Sequence, residues 1–101
     1  MRLDELARVI RSKNAGPYGL TIDVLFADEP TRVRAAQAAS LRPEAIAELF
    51  SVPAGDVAVI EHPASHAIKI SIRRPTPAGA LDDRDLYGAQ QHVPLLSAEI
   101  P

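Results

Sequence analysis

"GLTIDVLFADEPTRVRAA", residues 19–36, contains the point at which this chain changes its hydrophobic period. Leu20, Ile22, Val24 and Phe26 alternate with Thr21, Asp23 and Leu25, the period of two expected of a half-buried strand, which predicts one over Gly19 to Ala27. Asp28-Glu29-Pro30 then stops it and starts a helix, because proline suits the first helical position and acidic groups there face the positive end of the helix dipole. Ala35, Ala36, Ala38 and Ala39 make that helix narrow enough to approach a sheet closely. Pro43-Glu44 repeats the start signal, and Ile46, Leu49 and Phe50 supply an apolar stripe. Two short helices broken at Ser40 to Arg42 are therefore expected.

Upstream, Leu3, Leu6, Ala7 and Ile10 follow the i, i+3, i+4, i+7 spacing of an amphipathic helix, while Ala7 to Arg11 also fits a strand; both readings stand. Downstream of Pro53-Ala54-Gly55-Asp56, Val57, Val59 and Ile60 suggest a second strand. His62-Pro63-Ala64-Ser65 makes a short turn, and Ile68, Ile70 and Ile72 alternate with Lys69, Ser71 and Arg73 in a third. The order strand, helix, strand, strand matches the first part of a ferredoxin-like α+β sandwich, with the third strand between the other two and antiparallel to both. Arg74 to Leu86 carries Pro75, Pro77, Gly79 and an acidic group, and reads as irregular. The apolar Val93 to Leu96 then reads as a docked closing segment, with an edge strand running to Ile100 as one form it could take. The expected fold is a ferredoxin-like antiparallel sheet with two short helices on one face and a long ordered C-terminal loop, a single domain over residues 1–101.

The chain of 101 residues is long enough for one core. Its net charge of -2 argues against a nucleic-acid binder working through phosphate neutralisation, and two Tyr, two Phe and no Trp make a poor stacking platform. With no cysteine there are no disulfides or thiolate metal sites. No apolar run is long enough to span a membrane, and Met1 to Glu5 lacks a signal-peptide core, so a cytoplasmic location is expected.

Two stretches carry candidate chemistry. Arg11-Ser12-Lys13-Asn14-Ala15-Gly16-Pro17 reads as an anion-binding loop: Asn14 and Gly16 tolerate the positive φ that turns backbone N–H groups inward, Ser12 adds a hydroxyl, and Arg11 and Lys13 add charge. The bland alternative is a plain turn with both cations solvated. Tyr87-Gly88-Ala89-Gln90-Gln91-His92 offers a phenol, two amides and an imidazole; His92 or Tyr87 could move a proton, while Gly88, Gln90 and Gln91 suit ligand contact or simply hold the loop down. Lys69 lies on the outer face of the third strand, opposite Asp23 if the strands pair as expected. That face is either solvated or an interface of a homo-oligomer, with Leu25 as its apolar anchor. His62 and His66 are four apart but straddle a turn, and no carboxylate set completes a metal site, so no metal or cofactor is implied.

"LARVIRSKNAGP" (6–17), "HPASHAIKISIRRPTPAG" (62–79) and "DLYGAQQHVPLL" (85–96) together resemble the small bacterial proteins of domain-of-unknown-function family 4387. Members of that family occur beside, or fused to, proteins of the acyclic terpene utilisation type, whose C-terminal domain is itself ferredoxin-like. The resemblance implies a small subunit of a two-component catabolic enzyme acting on a small carboxylic acid or acyl-CoA, with the larger acyclic terpene utilisation-type protein as its partner. It supplies no catalytic residues.

Overall fold

The computed structural model describes residues 1–14, 19–73 and 95–101. In chain order it contains α1 (Leu3–Leu6), β1 (Val9–Asn14), β2 (Gly19–Leu25), α2 (Glu29–Ala36), α3 (Pro43–Phe50), β3 (Val57–His62) and β4 (Ala67–Arg73), with short 3-10 turns at Ala39–Leu41, Ala54–Asp56 and Pro63–Ser65. The fold is α+β. Its four strands form one sheet in the order β1-β2-β4-β3, every neighbouring pair antiparallel. β4 lies between β2 and β3 and is antiparallel to both, the placement expected of the third strand.

The alternating pattern of β2 and β4 sets the two faces of this sheet. Register pairs Leu20 with Ile72, Ile22 with Ile70 and Val24 with Ile68, and all six side chains are buried on the inner face. Burying six large aliphatic groups contributes roughly 1.5–3 kcal/mol each, an upper bound because unfolded chains already hide part of that surface. α2 and α3 supply Ala35, Ile46 and Ala47 to the same core. The alanines do what small residues permit: Ala35 and Ala38 are both buried, so the backbone lies close to the sheet.

Local chemistry places the helix ends. Asp28 is the N-cap of α2 and accepts the Thr31 N–H at 3.0 Å, with Pro30 in the first turn. The Thr31 hydroxyl, and then this backbone bond, hold the Asp28 carboxyl below its usual range. α3 starts at Pro43 and ends on Ser51, whose φ of 57° is left-handed and whose N–H returns to Ala47 and Glu48 carbonyls.

At the N-terminus, helix and strand readings each hold for part of the segment. The helix is one turn, Leu3–Leu6, closed by the Ala7 N–H on the Leu3 carbonyl, and β1 begins at Val9. β-branched Val9 and Ile10 favour extended chain, and pairing with β2 gives their backbone groups partners that a lone short helix would lack. Arg11 to Asn14, expected as a loop, are therefore strand residues.

The chain's last residues dock beside its first. Leu95 and Ile100 are fully buried, and Ala98 nearly so. The Leu3 and Asp4 N–H groups donate to the Ala98 and Leu96 carbonyls, and the Ile100 N–H donates to Met1 O at 2.8 Å. An edge strand to Ile100 does not form among the described residues; the pairing is a single antiparallel bridge, Arg2 with Glu99. The expected long C-terminal loop, including Val93 and Pro94, lies outside the described residues. No helix among the described residues is long and apolar enough to cross a membrane.

Candidate functional site

The outer face of the sheet has no helix over it among the described residues, and its composition follows from register. Arg11 pairs with Asp23, which pairs with Lys69, which pairs with Ile60. In the next row Lys13, Thr21, Ser71 and Ala58 stand side by side, and beyond it Arg73 lies opposite Gly19. Among the described residues, four cationic side chains thus share this face with one carboxylate, Asp23, on a chain whose net charge is -2. Arg11, Lys13, Lys69 and Arg73 are all exposed.

At one end of this face is a concavity of about 200 Å³. Its floor is Leu25 and Ala67, Arg11 and Lys69 flank it with Asp23 between them, and His62 and Ser65 form the rim. Arg11 Nε is 3.9 Å from Asp23 Oδ2, so the carboxylate leans toward β1. Lys69, the other cross-strand neighbour of Asp23, has no ion-pair partner within the same reach among the described residues. An exposed pair such as Arg11–Asp23 is worth about 0–1 kcal/mol, too little to exclude a competing anion. The arrangement suits a small carboxylate held between two cations over an apolar floor.

The strand geometry corrects the expected anion loop. Asn14 has no positive φ; among the described residues outside glycine, only Ser51 and His66 do. Residues 11–14 pair with β2, so their backbone does not form a nest of inward N–H groups. Alternation instead sends Arg11 and Lys13 to the outer face and Ser12 and Asn14 to the inner side of an edge strand. Of the anticipated ligand residues, the fold brings Arg11, Lys13 and Lys69 onto one surface. Gly16, Tyr87, Gly88, Gln90, Gln91 and His92 lie outside the described residues. The end of the sheet anticipated for them is the one where Gly19 meets Arg73, since β2 begins and β4 ends there.

His62 and His66 do not share a site. His62 is on the outer rim, whereas His66 Nδ1 is 3.7 Å from Glu29 Oε2 beside α2, shielded and without a hydrogen bond among the described residues. No group of His, Asp and Glu arranged to hold a metal occurs among the described residues.

An ion network absent from the sequence reading joins the helical layer to the sheet. Arg32, 6% exposed, donates to Glu61 on β3 and to Glu29 one turn earlier on α2. Those two bonds, Glu61 first, raise the guanidinium pKa further above its ordinary value. The i, i+3 spacing of Glu29 and Arg32 was a visible signal; the share of Glu61 depends on α2 packing on β4, the strand beside β3. A second concavity, about 310 Å³ between α3 and the C-terminal segment, is lined by Leu49, Ala45, Ala98, two serines and Glu48, and offers an anion no cation.

Comparison with known proteins adds one relationship. A family model described as "Domain of unknown function (DUF4387)" matches residues 3–99. No curated protein and no solved structure matches the chain.

Proposed function

The chain belongs to the domain-of-unknown-function family DUF4387, and from that footing we propose that it is the small subunit or accessory domain of a two-component catabolic enzyme of hydro-lyase or isomerase type, acting on a small carboxylic acid or acyl-CoA in the cytoplasm. The larger, acyclic terpene utilisation-type protein is its partner, and the open sheet face is what the small subunit contributes. One observation carries this reading: Arg11 and Lys69 flank an apolar-floored concavity on a face left uncovered by the helices. Such a surface binds and orients an anion, and the partner supplies the walls that enclose a reaction. The expectation that Tyr87 and His92 add a proton donor or acceptor belongs to the same proposal, at the Gly19–Arg73 end of this face, opposite the concavity. Co-expression with the larger protein and size-exclusion chromatography test it: one stable complex is expected, and two separate species overturn it.

The same concavity favours a second reading, a stand-alone module that senses a small carboxylate without catalysis. Titration calorimetry of the isolated chain with short-chain acids and acyl-CoAs separates the two. Only the sensor requires saturable binding without a partner.

A further inference from the structure

The outer face divides into two halves of different chemistry. In the half toward His62, Asp23 lies between Arg11 and Lys69 and offsets part of their charge. In the other half none of the paired outer-face positions is a carboxylate among the described residues, and Asp23 borders it, next but one to Thr21 and lining a concavity with Lys13. Lys13, Thr21 and Ser71 are consecutive cross-strand neighbours there, and Arg73 stands two residues along β4 from Ser71. Opposite Arg73 is Gly19, which brings no side chain into the space beside the two hydroxyls. Neither Lys13 nor Arg73 has an ion-pair partner among the described residues.

Resting on the reading of this face as a binding surface, we infer that the Lys13–Thr21–Ser71–Arg73 pad is a binding site for a phosphate group. Two strand spacings of about 4.8 Å across the sheet and two residues of about 3.4 Å along it separate Lys13 from Arg73, so the two long cationic side chains flank a diagonal gap of roughly 12 Å whose floor is the hydroxyl pair. A phosphate dianion matches this donor set better than a carboxylate does. It has more acceptor oxygens to satisfy, the two cations balance its charge, and the hydroxyls reach oxygens that the cations do not. In the neighbouring concavity Asp23 stands directly between the two cations, so a second negative charge is repelled there more strongly than over Thr21 and Ser71. A ligand bearing both an organic body and a phosphate therefore places the phosphate over Thr21 and Ser71 and its less charged part over Leu25 and Ala67.

The test is a titration of the isotope-labelled chain, followed by amide chemical shifts, with inorganic phosphate, phenyl phosphate and acetate at one fixed ionic strength. Constant ionic strength matters because exposed charges are screened over about 10 Å at 0.1 M salt. Both phosphates should shift Thr21, Ser71 and Arg73 saturably, and acetate should not. Lys13→Gln and Arg73→Gln should each weaken phosphate binding ~10-fold, the scale of one charge-assisted hydrogen bond. Thr21→Val with Ser71→Ala should weaken it without changing the charge. All of these side chains point away from the core, and an unchanged melting temperature checks each variant. Tighter binding of phenyl phosphate marks an organic phosphate as the source, and equal binding marks the free ion. Equal shifts with acetate, or wild-type affinity in Lys13→Gln and Arg73→Gln, overturn the inference. Acetate shifts confined to Arg11 and Lys69, with no saturable phosphate shift at Thr21, Ser71 and Arg73, would leave the carboxylate reading standing while the phosphate site fell.

Discussion

Replacing Leu95 with alanine opens a void where the last residues of the chain meet the first. Leu95 is fully buried in the cluster that holds Leu3 and Ile100, and flanking backbone bonds tie this segment to Leu3 and Asp4. The substitution deletes three carbons, worth about 2.4 kcal/mol at about 0.8 kcal/mol for each methylene. A residual cavity adds to that, and Leu→Ala changes in cores cost roughly 2–5 kcal/mol in all. A loss of about 3 kcal/mol lowers the melting temperature by about 12–24 °C in a chain of this length. Against a total stability of roughly 5–15 kcal/mol, the variant is left near its threshold. Urea unfolding followed by circular dichroism measures the change, with an unchanged slope showing that the denatured state is unaltered. Leu96→Ala is the control, because Leu96 is only partly buried and should lose clearly less. If Leu95→Ala unfolds within about 0.5 kcal/mol of the parent, as surface substitutions do, the tail is not part of the core and the account of the C-terminal segment is wrong.

Asp28 makes stability depend on acid. Its folded pKa is lowered, so the stabilisation it gives is complete above its unfolded value near 3.8 and fades as pH falls through the folded value. Asp28→Asn keeps a capping oxygen but should flatten the melting-temperature profile below that point, and a profile that still falls as in the parent would remove Asp28 as its source. Arg32→Ala should destabilise more than Arg32→Met, because both take the guanidinium away from Glu29 and Glu61 but methionine keeps the buried packing; equal losses in urea unfolding would count against the packing role. Arg32→Met combined with Glu61→Gln should be less destabilised than the sum of the single changes, and strict additivity would deny the coupling. On the open face, Lys69→Glu should leave the melting temperature within about 2–4 °C of the parent, the scale of a surface change of about 0.5 kcal/mol, and a larger drop would mean that Lys69 supports the fold.

Alternation and turn chemistry made most of the fold legible. The period of two in Leu20 to Phe26 and in Ile68 to Ile72 located the central strands, and Asp28-Glu29-Pro30 and Pro43-Glu44 located both larger helices within a residue or two. β1 was the obscure element. An edge strand is buried on one side only and at its margin, so Val9 to Asn14 alternates between exposed and half-buried residues and has no strong apolar period. That ambiguity hid part of the site. With Arg11 and Lys13 assigned to a loop, their place beside Asp23, Thr21 and Lys69 could not be seen, although Lys69, Ser71 and Arg73 already pointed to a charged outer face. The Arg32 network was illegible for another reason: Glu61 comes 29 residues later, and only the packing of α2 on the sheet brings the two together.

Under the proposed function, the open sheet face and not the helical layer meets the partner. The affinity of the chain for its proposed partner, a larger acyclic terpene utilisation-type protein, measured by titration calorimetry with the parent, with Arg11→Glu/Lys69→Glu and with Glu48→Lys on α3, tests this directly. Binding should be lost in the double variant and kept in Glu48→Lys, with all three equally folded. Retention of binding in the double variant together with its loss in Glu48→Lys would put the interface on the other side of the molecule and contradict the account.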